Sequence, residues 1–131
     1  MAVDLIYCAT PSRLKDRKED ILNFVNEKTP HAPFNPFTAF PWELFEGNKK
    51  VGRNNAMNYC TRSIDICDRF GLFGISEGTA TIELPYALSK NKPIDLFVEE
   101  FDPDWRKYFQ ELENKNPNLR KELERIGVIY G

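Results

Sequence analysis

Cys67-Asp68-Arg69-Phe70-Gly71-Leu72-Phe73-Gly74-Ile75-Ser76-Glu77-Gly78-Thr79-Ala80-Thr81-Ile82-Glu83-Leu84-Pro85-Tyr86-Ala87-Leu88 decides the fold of this chain. Phe70 to Ile75 has strand length and is apolar or glycine throughout, as in a parallel strand covered on both faces. Ser76-Glu77-Gly78-Thr79 supplies turn chemistry. Gly78 is free to take a positive φ, and the hydroxyls of Ser76, Thr79 or Thr81 can cap a helix. The turn thus sits at the carboxyl end of a strand, where open α/β sheets bind their ligands. In the helix that follows, Ala80, Glu83 and Ala87 share a face, so one carboxylate stands between two small residues with room for a ligand beside it. A first-turn glutamate favoured by the helix dipole accounts for the same residue with no ligand at all. Pro85 lacks an N–H, so the helix is expected to start late, near Thr81 to Glu83, or to kink there.

Upstream, Val3 to Ala9 is a compact apolar run ended by Thr10-Pro11-Ser12, which reads as the first strand and its loop. Ser12 to Lys28 begins polar and becomes helical, with Ile21, Leu22, Phe24 and Val25 on its buried side. Arg13, Lys15, Arg17 and Lys18 crowd its start. They suit an anion such as a phosphate at a βα turn, or they form a solvated face balanced by Asp16, Glu19 and Asp20. Thr29-Pro30 stops the helix, and His31 to Pro36 reads as a short second strand whose prolines place it at a sheet edge. His31 is the only histidine, and nothing near it has metal-ligand spacing.

Phe37 to Gly47 packs Phe37, Phe40, Trp42 and Phe45 into a short stretch broken by Pro41, either a lid whose rings could sandwich a planar base or a hydrophobic plug or subunit contact. Arg53 to Cys67 reads as a helix with Ala56, Tyr59, Cys60, Ser63 and Cys67 along one face. Downstream of the central block, Ile94 to Val98 forms a fourth strand and Pro103 to Leu112 an amphipathic helix bearing Trp105, Tyr108, Phe109 and Leu112. Leu119 to Ile126 gives a charged helix, and Gly127 to Tyr130 a candidate fifth, edge strand.

At 131 residues the chain has room for one domain, 1–131, large enough to bury a core without disulfides or metal. A formal charge of -2 argues against a general nucleic-acid binder and for a small-molecule partner. Cys8, Cys60 and Cys67 lack CxxC spacing, and the first residues carry no charged region followed by a long apolar run. A cytoplasmic location with reduced thiols is the expectation. No stretch approaches the ~20 apolar residues of a membrane span.

The alternation of strands and helices predicts an α/β, three-layer, flavodoxin-like fold with a mostly parallel sheet of four to five strands in the order 2-1-3-4-5. The ligand crevice then lies between strands one and three, with Tyr7 to Thr10 on one side and Ser76 to Thr79 on the other.

The strand led by Asp68, the turn with Glu77, Gly78, Thr79 and Ala80, and the Glu83-Leu84-Pro85-Tyr86-Ala87 segment together resemble the nucleoside 2-deoxyribosyltransferase family and its N-glycosidase relatives. Leu5 to Pro11 looks like the family's first strand and loop, and Phe34-Asn35-Pro36 like its second strand end. The likeness covers about the first 95 residues, and the Ser76 to Leu88 block carries its specificity. It implies that Glu83 is the nucleophile, that Glu77 faces the base and that Tyr7 orients Glu83. Thr10, Arg13, Ser76, Gly78 and Thr79 would bind the substrate.

The family usually carries Gly where this chain has Pro85. It also has a sugar-contacting Asp about two turns before the strand's leading Asp, where this chain has Asn58, Tyr59, Cys60 and Thr61. The expected activity is cleavage or transfer at the N-glycosidic bond of a nucleoside or nucleotide, without a cofactor, in a homo-oligomer whose subunits complete each other's sites. Self-association is expected because Phe37, Phe40, Trp42, Phe45, Trp105 and Tyr108 exceed what one small domain readily hides. The alternatives are a non-catalytic protein that binds a nucleotide-like ligand in the same crevice, and a flavodoxin-like electron carrier, which a colourless preparation would exclude.

Overall fold

A computed structural model of the chain describes residues 3–39 and 49–127, with side chains from residue 57 onward in the second stretch. Strand β1 (Leu5–Ala9) is the inner rail of the sheet. It pairs in parallel with β2 (Ala32–Phe34) through Leu5↔Ala32 and Tyr7↔Phe34, and with β3 (Arg69–Leu72) through Tyr7↔Phe70 and Ala9↔Leu72. Strand β4 (Ile94–Leu96) lies outside β3, which makes a four-stranded, all-parallel sheet in the order β2-β1-β3-β4. The expected order holds for these strands, and proline-rich β2 is an edge. Gly127 is in a turn at φ 88°, and the rest of the candidate fifth strand lies outside the described residues.

Strand period two sorts the side chains between two cores. Tyr7, Ala9, Phe70 and Leu72 face one layer of helices. That layer comprises α3 (Lys49–Ile66), α4 (Leu84–Ser89), α6 (Trp105–Lys115) and α7 (Leu119–Arg125), which contribute Ile64, Leu84, Phe109 and Leu123. Ile6 and Cys8 face the other way, onto Ile21 and Val25 of α1 (Lys18–Lys28) and Phe101 of α5 (Val98–Phe101). The result is the three-layer, flavodoxin-like arrangement. A short 3-10 helix, Ser12–Arg17, precedes α1, and α2 (Pro36–Ala39) follows β2.

The amino ends of the strands are pinned by charge. Asp68 accepts the Leu5 N–H at 2.8 Å, and Arg69 makes paired bonds to Asp95 at 2.8 and 3.0 Å. These contacts leave the carboxyl ends for other work.

Several expectations need correction. Strand β3 ends at Leu72; Phe73 still donates its N–H to the Ala9 carbonyl of β1 at 3.0 Å, and Gly74 and Ile75 run on as buried chain. The reason lies at Gly74: a Cβ there would come within 2.6 Å of Pro11 Cγ, so the backbone has turned against the loop after β1. Tyr59, expected to share one face of α3 with Cys60, Ser63 and Cys67, is 50 % exposed, whereas Cys60, Ser63, Ile64 and Cys67 form the buried line. Trp105 is buried, and Tyr108 is half-buried beneath the Arg13 guanidinium, 3.5 Å from the ring centroid. Phe37 is buried as well, so half of the aromatics expected to drive self-association are used inside the subunit. The other three, Phe40, Trp42 and Phe45, lie with the expected lid outside the described residues. Among the described residues no helix is long and apolar enough to cross a membrane, and no His, Cys, Asp and Glu cluster could hold a metal.

Candidate functional site

The register decides what gathers at the centre of the sheet. Phe34, Tyr7 and Phe70 are cross-strand partners on β2, β1 and β3, and their side chains form a stacked row with centroid distances of 6.2 and 5.7 Å from Tyr7. The row fixes the phenol ring, and its hydroxyl donates to Glu83 Oε2 at 2.5 Å. Cys60 of α3 packs in the same core. Burial, followed by the charge of Glu83 and the neighbouring Cys60, pushes the Tyr7 hydroxyl well above its usual pKa. Burial and the charge of Glu83 push the Cys60 thiol up to about 12, against a hydrogen bond with Tyr7 that lowers it. Both groups therefore keep their protons at neutral pH, and Tyr7 stays a donor.

Glu83 does not fit the alternative, helix-dipole reading of the sequence. It is 5 % exposed and lies at the end of a π-helical turn, Gly78–Glu83, so it is not an exposed first-turn glutamate stabilised by the helix dipole. Gly78 lies within that turn, and the only described glycine at positive φ is Gly127. Burying a carboxylate costs several kcal/mol before its partners are counted, so a buried, tyrosine-bonded Glu83 is a residue the fold has gone out of its way to keep.

The loops after β1 and β3 meet at the carboxyl ends of the strands, where Gly74 lies against Pro11. Thr10 is buried, donates to the Cys8 carbonyl at 3.1 Å and accepts from Asn35 Nδ2 at 3.3 Å. Asn35 Oδ1 in turn accepts the Phe37 N–H at 2.9 Å. After β3 the Thr79 hydroxyl lies 2.8 Å from the Ser76 N–H, which it accepts, and donates to the Gly74 carbonyl at 3.0 Å. Ser76 Oγ returns the favour by accepting the Thr79 N–H at 3.2 Å. Glu77 stands exposed at the head of this turn.

Arg13 has a different setting from the anion-greeting one expected. It pairs with Asp102, which is 3 % exposed and also accepts the Ile75 N–H at 2.9 Å. The Arg13–Asp102–Ile75 chain ties the loop after β1 to the loop after β3. Sequence reasoning missed Asp102 and the part Asn35 plays. Asn35 had a signal, a polar residue between Phe34 and Pro36 at a strand's carboxyl end. Asp102, in a Phe-Asp-Pro-Asp turn, reads as an ordinary helix-boundary residue.

Comparison with protein-family models, curated proteins and solved structures gives no match. The site is therefore interpreted from its geometry and from the residue pattern around Glu83. The structure brings together Tyr7 and Glu83, and sets Thr10 on one loop and Ser76 and Thr79 on the other. It holds Arg13 in a clamp and leaves Glu77 at the rim.

Proposed function

We propose that the protein cleaves, or transfers across, the N-glycosidic bond of a nucleoside or nucleotide. The observation that carries this reading is the buried Tyr7–Glu83 hydrogen bond at the β1/β3 crevice. A nucleophilic carboxylate must be held at one angle to the anomeric carbon, and a phenol locked in an aromatic row holds it without neutralising its charge. Glu83 attacks the anomeric carbon, the bond to the base nitrogen breaks with its electron pair leaving on the base, and Glu77 supplies the base with a proton. Water or a second base then displaces the sugar from Glu83.

A second reading is a binding protein that holds a nucleotide-like ligand in the same crevice. The placement of Cys60 favours it, because a protonated thiol stands against Tyr7 near where the resembled enzymes carry a sugar-contacting carboxylate. Incubation with a panel of nucleosides and nucleotides, assayed for free base, separates the two. Glu83→Gln should abolish base release by orders of magnitude while the protein stays folded. Base release by Glu83→Gln within a few-fold of the wild type refutes the glutamate mechanism. Binding without release by either protein selects the second reading.

A further inference from the structure

The residue that interrupts the family-like pattern after Glu83 is also where the helix changes register. Gly78–Glu83 is a π-helical turn, α4 begins at Leu84, and Pro85 is within its first two positions. A proline there needs no explanation in a helix that starts afresh. This helix does not start afresh. The chain is already helical from Glu77, with Ala80 N–H bonded to the Ser76 carbonyl at 2.9 Å. A continuous α-helix through Ser89 would drive the Pro85 ring into the Thr81 carbonyl and leave that carbonyl without its i+4 donor. The π turn is the way out. Leu84 N–H reaches back five residues to the Thr79 carbonyl, which widens the helix where the ring needs space.

The widening changes which side chains face the sheet. In an α-helix, Thr79 and Leu84 lie about 140° apart, on opposite flanks. An i to i−5 bond stacks them one above the other, and both are buried: Thr79 anchors on Gly74 and Ser76, and Leu84 packs in the core. Glu83 sits between these two anchors. Relaxation to α-helical bonding forces one anchor to yield, and a shift of about an ångström in Glu83 is enough to break a hydrogen bond of 2.5 Å.

We propose that Pro85 is a positioning residue: by forbidding the α-helical turn it sets the π turn that seats Glu83 against Tyr7. Its importance for catalysis rests on the nucleophile role given to Glu83 above, but the seating itself does not.

The test reads the hydrogen bond directly. A proton held between a phenol and a carboxylate in so short a bond resonates far downfield in the proton spectrum, and Tyr7→Phe identifies it by removing it. In Pro85→Ala, and independently in Pro85→Gly, that resonance should be lost or moved markedly upfield while the circular dichroism and thermal midpoint remain those of a folded protein. A resonance at the wild-type position in folded Pro85→Ala overturns the proposal. So does the absence from the wild type of any downfield line that Tyr7→Phe abolishes. Base release is measured alongside. Loss of the resonance with unchanged base release leaves the seating role standing and instead removes the catalytic reading of Glu83.

Discussion

Replacing Asp102 by alanine removes the one group that ties three parts of the site wall together. Its carboxylate is 3 % exposed, pairs with Arg13 and accepts the Ile75 N–H at 2.9 Å. Alanine leaves the buried Ile75 N–H without an acceptor, which costs about 1–3 kcal/mol. It also leaves the guanidinium unpaired. A fully buried pair broken on one side costs about 3–5 kcal/mol, but the Arg13 side chain is 24 % exposed and water recovers part of that. The sum expected is about 3–4 kcal/mol, a large share of the ~5–15 kcal/mol that holds a domain folded. Asp102→Asn is the discriminating control. Its carboxamide oxygen still accepts the Ile75 N–H and only the charge is lost, so about 1–2 kcal/mol is expected. Urea unfolding with unchanged m values gives both numbers, and thermal midpoints should fall by ~4 °C per kcal/mol for a chain of this size. An alanine variant within 1 kcal/mol of the wild type, or no less stable than the asparagine variant, refutes the clamp.

Two further outcomes follow from packing and titration. Gly74→Ala should cost about 1–3 kcal/mol, because the new Cβ meets the rigid Pro11 ring at 2.6 and 2.8 Å, and Gly71→Ala a comparable amount, because its Cβ meets the buried Ile6 and Phe73 side chains at 2.9 and 3.0 Å; urea curves measure both, and a variant as stable as the wild type counts against the packing described. Burial pushes Cys8, Cys60 and Cys67 from 9.0 up to about 12 in the fold, so above pH 9 the unfolded chain releases thiol protons that the native state keeps. Stability is thus undiminished by the thiols below pH 9 and should fall progressively as pH rises from 9 to 12, which urea midpoints across that range will show, with a flat profile counting against it.

The strands and their order were legible because they follow from local pattern: apolar runs of strand length, their alternation with helices, and proline at the edge strand. The same local logic located Thr10, Ser76 and Thr79, which end strands or open turns. The pairing of Tyr7 with Glu83 came from the family-like pattern, since residues 76 positions apart carry no local sign of meeting. Asp102 was illegible for the same reason: Ile75 is 27 positions away, and only the folded chain brings them together. Pro85 signalled an irregular helix, expected as a late start or a kink; the chain is instead helical from Glu77 and meets the missing N–H with a π turn. Neighbouring side chains decide between these.

The position of Glu83 is set by contacts of two different kinds, and they should fail differently. Gly74 against Pro11 and Asp102 between Arg13 and Ile75 fix the separation of the two loops, and they do so through packing and a buried ion pair. Damage there should lower stability and base release together, because the wall and the fold share the same contacts. The Tyr7 hydroxyl and the π turn fix the bearing of one carboxylate within walls already built. Tyr7→Phe keeps the aromatic row but removes the oxygen that meets both Glu83 and Cys60 and leaves a buried carboxylate without that donor, so its stability cost is bounded at about 3–5 kcal/mol. Its effect on a reaction that needs the carboxylate aimed within half an ångström has no such bound. If Glu83 acts as proposed, Tyr7→Phe must therefore reduce base release by more than its loss of stability explains, and Asp102→Ala must not.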